Sequence, residues 1–401
     1  MKKLSLLFFC AAFALASCNK PAPEITYQPI DISTRAAGFV KQGNSFAMDF
    51  LDRVEAATKD KDYVISPLSM QFLLGMILDG ANGQTATEIC NVLGYGAGET
   101  AEVNQFCLNM LTQLPALDSR TTLKIANAIV VDNNWPLKES YKKDVAHYFD
   151  AKVSNMDFSD AAGTVKKIND WCSNHTNGLI PKVIEDVDPG IVAYLMDAIY
   201  FKSQWAAKFD KNNTAEEPFK DEAGNKIQVP MMKMTWDFPY TKTDKFQAVS
   251  MPYGNGAFSM TVILPAGTVA ETIAALKQID DWSRFLSDMR ETEVNLWLPR
   301  FETKFHINLN DILSAMGMPT AFTGAADLSG MSESAAHLSF VQQDAVIKVD
   351  EEGSEAAAVS VAAVEKAALD TPVFHADKPF IYIISEKSTG AILFAGRYSG
   401  K

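Results

Sequence analysis

The sequence of 401 residues lacks most of the motifs that enzymes use for chemistry. It contains no G-x-S-x-G nucleophile turn, no glycine-rich phosphate loop and no H-E-x-x-H metal motif. Its five histidines are dispersed along the chain: His147, His175, His306, His337 and His375. Histidines without such a motif are more often surface or core residues than catalysts. The sequence therefore predicts a protein that is not an enzyme and that needs no metal or cofactor.

Basic residues are also in short supply. Lys and Arg total 36 against 49 Asp and Glu, so the formal net charge is −13. A protein that binds nucleic acid normally needs a basic surface to replace the counterions of the phosphates. The charge balance therefore argues against a nucleic-acid partner.

Cysteine is scarce, with five residues in the whole chain. Two of them, Cys10 and Cys18, lie close to the N-terminus. The other three, Cys90, Cys107 and Cys172, are odd in number and have no metal-ligand spacing. We expect buried thiols rather than a disulfide framework, and a single Cys90–Cys107 bridge is the alternative.

A long apolar run occurs only in the first 17 residues. Lys2 and Lys3 precede an apolar stretch over residues 4–15, which is too short for a stable membrane-spanning helix and is typical of an export signal. The letters LASC at residues 15–18 resemble a bacterial lipobox, in which the cysteine receives lipid. Ordinary cleavage beside a chance cysteine is the alternative interpretation.

The N-terminal pattern predicts a signal peptide over residues 1–17 and a lipid anchor with a proline-containing tether over residues 18–37. Lipid on Cys18 would hold the protein to a membrane by burying methylene groups, at about 0.8 kcal/mol each. We expect the protein to be exported and attached to the outer membrane, where it faces the periplasm or the cell surface.

Residues 38–401 contain no linker rich in Pro, Gly or Ser and are interpreted as one domain. Apolar residues at helical spacing predict helices around residues 46–54 and 70–78, with Ser69 as the cap of the second. Later segments have the pattern of strands: 191–201, 246–253, 258–264, 294–299, 381–384 and 391–398. Because helices and strands are partly segregated, the pattern predicts an α+β fold.

The segment GSEAAAVSVAAVEKAA at residues 353–368 departs from this pattern. Its many alanines favour a helix, but its valines form no continuous apolar stripe with them. With the period of a strand, Glu355 and Glu365 share one face. The other face carries only small, uncharged residues: Ser354, Ala356, Ala358, Ser360, Ala362 and Val364. Both conformations suit the segment, which suggests a switch between them.

A series of collinear motifs over residues 39–401 resembles the serpin family. In order, they are SPLS at 66–69, GANGQTATEI at 80–89, NDW at 169–171, TNG at 176–178, DAIYFKSQW at 197–205, VPMM at 229–232, LPRF at 298–301, GMPTAF at 317–322, ADLSGM at 326–331, ADKPF at 376–380 and AILFAGR at 391–397. So many motifs in order make the resemblance specific. It implies an α+β serpin fold with three β-sheets, eight or nine helices and an exposed reactive loop.

The resemblance implies a suicide inhibitor of serine endopeptidases, with cysteine endopeptidases as a second target class. The protease would cut the reactive loop and remain attached as an acyl-enzyme while the cut loop inserts into the central sheet as a new strand. The implied hinge of this loop consists of Glu351, Gly353, Ser354, Ala356, Ala357 and Ala358. A non-inhibitory serpin that acts as a binding module is the alternative, and a monomer is expected in either case.

The family's usual spacing, counted from Glu351, places Ala367 as the residue before the reactive bond. The preceding residue, Lys366, is the only cation of the segment and suits the acidic specificity pocket of trypsin-like proteases. The predicted bond is Lys366–Ala367. The alternative is Ala367–Ala368, which would suit elastase-like proteases.

The resemblance also implies a region that controls sheet opening, formed by Ser66, Ser69, Asp197, Gln343 and Trp205. Asp197 and Gln343 stand where the family usually has Asn and His. Because a carboxylate and an amide still provide one acceptor and one donor, we expect Asp197 and Gln343 to hydrogen-bond to each other.

Overall fold

The computed structural model describes residues 27–58, 61–188, 190–354 and 371–401. Several of the predictions concern residues outside these ranges: the signal peptide, lipidation of Cys18, the hinge positions Ala356, Ala357 and Ala358, and the reactive-bond candidates Lys366, Ala367 and Ala368.

Nine α-helices occur in the described part of the chain, most of them in its first half. They are α1 (Thr34–Thr58), α2 (Pro67–Gly80), α3 (Gly83–Leu93), α4 (Thr100–Gln113), α5 (Glu139–Tyr148), α6 (Ala161–His175), α7 (Val269–Leu276), α8 (Trp282–Asp288) and α9 (Asn310–Met316). The apolar spacing correctly predicts α1 and α2.

Fifteen strands occur in the same ranges. They are β1 (Tyr63–Ile65), β2 (Thr122–Asp132), β3 (Ala151–Met156), β4 (Ala193–Gln204), β5 (Ala215–Lys220), β6 (Lys226–Lys242), β7 (Phe246–Pro252), β8 (Phe258–Pro265), β9 (Arg290–Pro299), β10 (Phe301–Asn308), β11 (Gln342–Val349), β12 (Gly353–Ser354), β13 (Val373–His375), β14 (Phe380–Glu386) and β15 (Ile392–Tyr398). The six segments predicted as strands correspond to β4, β7, β8, β9, β14 and β15.

The strands form three hydrogen-bonded sheets within the described residues. The largest has nine strands in the order β1-β15-β14-β8-β7-β6-β9-β13, with β5 paired to β6. A second has four strands in the order β12-β4-β2-β3, and a third consists of β10 and β11. The predicted α+β class, the three sheets and the number of helices are confirmed.

Helix α2 is the central element of the fold. All of its residues from Pro67 to Leu78 are buried, as expected for a helix that is apolar on every side. Its N-cap is Ser66 rather than the predicted Ser69, because the Ser66 hydroxyl oxygen accepts a hydrogen bond from the Ser69 N–H at 3.2 Å. Pro67 takes the first helical position, where a missing N–H costs nothing.

The folded domain begins before the predicted boundary at residue 38. Helix α1 begins at Thr34, and Ile30 is already buried. The Ile30 N–H donates to the Ser388 hydroxyl at 3.0 Å, and the Asp31 N–H donates to Gln113 at 2.9 Å. The C-terminal part of the predicted tether therefore belongs to the domain, which proline content alone did not indicate.

Cys90, Cys107 and Cys172 are buried free thiols, as predicted, and the alternative Cys90–Cys107 bridge is not formed. Among the residues that the structure describes, no helix has both the length and the apolar character needed to cross a membrane.

Candidate functional site

β4 and β11 are separated by a strand position that, among the described residues, only the two residues of β12 occupy. One edge of β4 pairs with β2, whereas its other edge pairs, within the described ranges, only with Gly353 and Ser354 of β12. β11 pairs with β10 along one edge, and its other edge has no strand partner in the described part of the chain. Because a tight turn leads from β11 into β12, the free edges of β4 and β11 lie beside one another. Within the described residues, β4 and β11 therefore do not pair with each other.

The first turn of α2 holds both sides of this gap. On the β11 side, the Gln343 oxygen accepts from the Ser66 N–H at 2.8 Å, and its nitrogen donates to the Ser66 carbonyl at 2.9 Å. On the β4 side, the Ser69 hydroxyl donates to Oδ1 of Asp197. Helix α2 thus connects two strands that do not pair with each other.

The predicted hydrogen bond between Asp197 and Gln343 is therefore wrong. The N–H of a helix N-cap has no acceptor inside the helix, and the Gln343 amide satisfies the backbone of Ser66 instead. Oδ2 of Asp197 is buried without a hydrogen-bond partner. The structure nevertheless brings Ser66, Ser69, Asp197 and Gln343 to the wall of one cavity.

This cavity has a volume of about 110 Å³ and lies beneath the gap. Much of its wall is apolar, with contributions from Met70, Leu73, Ile168, Cys172, Tyr194 and Phe340. Burial raises the pKa of the Cys172 thiol to about 12, so this cysteine is unreactive at neutral pH. A strand inserted between β4 and β11 would direct alternate side chains towards these walls, which favours small, uncharged residues.

The start of the hinge already occupies one end of the gap. As β12, Gly353 and Ser354 pair with Gln204 and Ser203 of β4. Gly353 has a φ of 150°, and a Cβ there would lie 2.1 Å from the Ser203 carbonyl oxygen, so only glycine fits. Ser354 is buried, as expected for the first inward-facing residue of a strand.

Two aromatic residues support the hinge. The Tyr253 hydroxyl is hydrogen-bonded to the Ser354 hydroxyl at 2.8 Å, and the Tyr253 ring stacks on Trp205 with their centroids 4.3 Å apart. The Trp205 indole N–H donates to the Asp350 carbonyl at 2.9 Å, and its backbone N–H donates to the Glu352 carbonyl at 2.8 Å. Trp205 thus lies at the hinge end of the gap, apart from the residues that contact α2.

Two buried carboxylates lie at the start of the hinge, directly before Gly353. Glu351 accepts a hydrogen bond from the Thr214 hydroxyl at 2.7 Å. Glu352 forms ion pairs with Lys208 at 2.9 Å and with Lys211 at 3.1 Å. Burial acts to raise the pKa of Glu352, but the hydrogen bonds and charges of the two lysines outweigh it and hold this pKa below its usual range. These contacts fix the residues about which the loop would turn.

The arrangement is suited to accepting a strand. Two parallel rows of backbone N–H and C=O groups face the gap, and such edges readily pair with an added chain. Among the described residues, no group of three or more His, Cys, Asp or Glu side chains converges to hold a metal ion.

A family model described as serpin (serine protease inhibitor) matches residues 41–400. The chain belongs to the serpin family. Among its relatives, the neuroserpin of Homo sapiens is 31% identical to this serpin over 368 residues, which cover 88% of this chain and 89% of neuroserpin.

Solved serpin structures have the same fold. The thermophilic serpin tengpin, in its native state, has a TM-score of 0.84 and 26% identity, and covers 93% of this chain and 96% of its own. Thyroxine-binding globulin, in complex with thyroxine, has a TM-score of 0.82 and 27% identity, and covers 90% of this chain and 99% of its own.

Sequence reasoning missed several residues that hold the hinge. It placed Tyr253 at the end of the predicted strand 246–253 and not beside Ser354, which lies 101 residues away. Lys208 and Lys211 were also missed. The only signal that could have found them is their charge, which complements that of Glu352.

Proposed function

We propose that this serpin is a suicide inhibitor of serine endopeptidases, with cysteine endopeptidases as a second target class, and that it is not an enzyme. A target protease attacks the reactive loop and becomes attached as an acyl-enzyme. The cut loop then fills the position between β4 and β11 and carries the attached protease with it. The inhibitor acts as a monomer.

One observation carries the proposal: β4 and β11 flank a strand position that, among the described residues, is occupied only at its hinge end. Gly353 and Ser354 pair with β4, and the sequence then continues with small, uncharged residues at every second position up to Val364. Such a segment can extend β12 along the whole gap without placing bulk or charge in the apolar cavity.

Insertion can supply enough free energy to complete a trap. A strand that extends from β12 to Val364 adds roughly a dozen ladder hydrogen bonds. At about 1 kcal/mol net each, they amount to on the order of 10 kcal/mol. Burial of alanine and valine side chains adds to this value.

We propose Lys366–Ala367 as the reactive bond, with Ala367–Ala368 as the alternative. Lys366 directs the inhibitor to trypsin-like proteases, whereas a cut after Ala367 directs it to elastase-like proteases. Incubation with trypsin and, separately, with elastase should give a complex with one of them that survives SDS gel electrophoresis. Cleavage without a complex would show a substrate and contradict inhibition.

Mass spectrometry of the released C-terminal peptide identifies the bond. A peptide that begins at Ala367 supports the first choice, and one that begins at Ala368 replaces it with the alternative. Lys366→Ala should then abolish the complex with trypsin.

Two neighbouring variants test insertion itself. Ala358→Arg places a charge on the inward face of the inserting strand and should turn the inhibitor into a substrate. Ala357→Arg places the same charge on the outward face and serves as the matched control. Equal loss of complex in both variants would contradict the proposed strand orientation.

The second candidate is a non-inhibitory serpin that acts as a binding module. The likeness to thyroxine-binding globulin, solved with thyroxine, favours it. The same gel assay separates the two candidates, because a binding module would be cleaved without forming a stable complex.

We further propose that the protein is exported, carries lipid on Cys18 and is attached to the outer membrane, facing the periplasm or the cell surface. Cys18→Ser should release the protein from the membrane fraction, while Cys10→Ser, within the signal peptide, should leave it there. Membrane retention of Cys18→Ser would contradict the anchor.

A further inference from the structure

Asp197 and Asn127 are neighbours that each carry one buried, unsatisfied hydrogen-bond acceptor. The two residues are directly opposite in the antiparallel register of β4 and β2, so their side chains lie on one face with Cβ atoms about 5 Å apart. Asp197 Oδ1 accepts from Ser69, and Asn127 Nδ2 donates to the Phe149 carbonyl at 2.8 Å. The remaining oxygens, Oδ2 of Asp197 and Oδ1 of Asn127, are buried and have no hydrogen-bond partner.

Two acceptors on neighbouring residues can both be satisfied if one of them carries a proton. If Asp197 were ionised, a buried charge and the Asn127 oxygen would both stay unsatisfied, which is costly. If Asp197 is protonated, its Oδ2–H can donate to the Asn127 oxygen, and both atoms are satisfied by one bond. Rotation of the Asn127 amide is no substitute, because its nitrogen is already bonded to Phe149.

The surroundings do not favour an ionised Asp197. Among the described residues, the wall of the cavity contains no lysine or arginine, and α2 contributes no ionisable side chain to it. The titratable groups that line it are Cys172 of α6, Tyr194 of β4, Asp344 of β11 and His337, which precedes β11. β2 faces Asp197 with the neutral Asn127. Burial consequently raises the pKa of the Asp197 carboxyl well above its usual range.

We propose that Asp197 is a neutral carboxylic acid in this structure, here called the closed sheet because α2 bridges β4 and β11, and that loss of its proton favours an open sheet, in which the gap between the two strands is wider. The part that concerns loop insertion rests on the proposed function, whereas the protonation state of Asp197 does not.

The coupling has a definite sign. When the gap widens, water reaches Asp197, and its pKa returns towards that of a hydrated carboxyl, about 4. Between this value and the raised pKa of the closed state, the closed sheet holds one more proton than the open sheet. Each rise of one pH unit in this window therefore favours the open sheet by about tenfold. Opening becomes easier as the pH rises and harder as it falls.

The first test compares the wild type with Asp197→Asn. The new amide can accept from Ser69 and donate to Asn127, but it cannot titrate. We measure the unfolding constants of both proteins in urea between about pH 5 and about pH 8. The ratio of the wild-type constant to that of the variant should rise by up to about tenfold for each pH unit. A difference that does not change with pH overturns the proposal. Asp170→Asn, which alters a surface ion pair with Lys166, is the matched control and should follow the wild type.

Infrared spectroscopy detects the proton directly. At neutral pH the wild type should have the carbonyl-stretch band of a protonated carboxyl group, and Asp197→Asn should lack it. Burial also raises the pKa values of Asp62, Asp79 and Asp344, so the difference spectrum of the two proteins makes the assignment. A difference spectrum without this band overturns the proposal. If Asp197→Asn does not fold, Asn127→Ala provides the test, because it removes the acceptor of the Asp197 proton. The carbonyl-stretch band should then shift to the frequency of a carboxyl group without an acceptor, and an unshifted band overturns the proposal.

Uptake of a synthetic peptide with the sequence of residues 354–364 tests the coupling to opening. The wild type should take up the peptide faster at about pH 8 than at about pH 6, and Asp197→Asn should show no such acceleration. Equal rates in the wild type overturn the coupling even if the infrared band is present. None of these measurements uses a protease, so failure of this inference is distinct from failure of the inhibitor proposal.

Discussion

Gln343 allows a measurement of how firmly α2 holds β11. Its side chain is 7% exposed, and its amide bonds to both backbone groups of Ser66, which is fully buried. Gln343→Ala removes both hydrogen bonds. The Ser66 carbonyl keeps a second partner, the Met70 N–H at 3.1 Å, whereas the Ser66 N–H loses its acceptor. The two lost bonds therefore differ in cost.

The size of the effect follows from these contacts. A buried N–H without an acceptor costs about 2 kcal/mol, and the second bond contributes about 1 kcal/mol. Gln343→Ala also loses the burial of one methylene group. Together, these losses should lower the free energy of unfolding by about 4 kcal/mol. Gln343→Met keeps most of the side-chain volume but neither bond, and should lower it by about 3 kcal/mol.

Urea unfolding followed by circular dichroism measures both variants. Gln105→Ala on α4 is the matched control, because the side chain of Gln105 bonds to Asn109 on the exposed helix surface, and it should change the free energy of unfolding by less than about 0.5 kcal/mol. A loss of less than about 1 kcal/mol in Gln343→Ala would refute the reasoning. It would mean that the bonds to Ser66 do not hold β11 in place.

The hinge gives three further tests. Gly353→Val should lower the melting temperature by about 2 °C or more, because its Cβ would lie 2.1 Å from a backbone oxygen; an unchanged melting curve contradicts this strain. Tyr253→Phe removes the hydrogen bond to Ser354 and should cost about 1 kcal/mol in urea unfolding, and no cost would show that the bond contributes nothing. Glu352→Gln should destabilise the protein more at neutral pH than at about pH 3, since a lowered carboxyl pKa stabilises the fold above the usual pKa and this stability is lost as the pH falls. An equal loss at both pH values contradicts the ion pair with Lys208.

Local sequence pattern predicts six of the twelve strands described after residue 190. β6 is a single strand of 17 residues, and Pro230 and Pro239 lie within it. Proline inside a segment argues against a strand, so no local rule predicts this one. In the structure β6 pairs with β5, β7 and β9 in turn, and this tertiary pairing outweighs the local preference.

The hinge was more predictable than the contacts that hold it. The sequence itself shows Gly353 and the small residues at every second position from Ser354 to Val364. The bond from Gln343 to Ser66 spans 277 residues, and the bond from Ser69 to Asp197 spans 128. Counting donors and acceptors suggested the pair Asp197–Gln343, but it did not include the backbone of Ser66, which competes for the same amide. Side-chain chemistry alone therefore gave the correct region and the wrong partners.

The facing edges of β4 and β11, which within the described ranges have no strand partner beyond β12, also bear on self-association. They can pair with any extended segment that has small residues on one face, including the same segment of a neighbouring copy. The protein's own loop competes at an effective concentration on the order of millimolar, as expected for a short tether, so it prevails in dilute solution. Attachment through Cys18 would confine the copies to two dimensions and reduce this advantage. The surface density of the protein would then set the balance between trapping a protease and joining copies into chains.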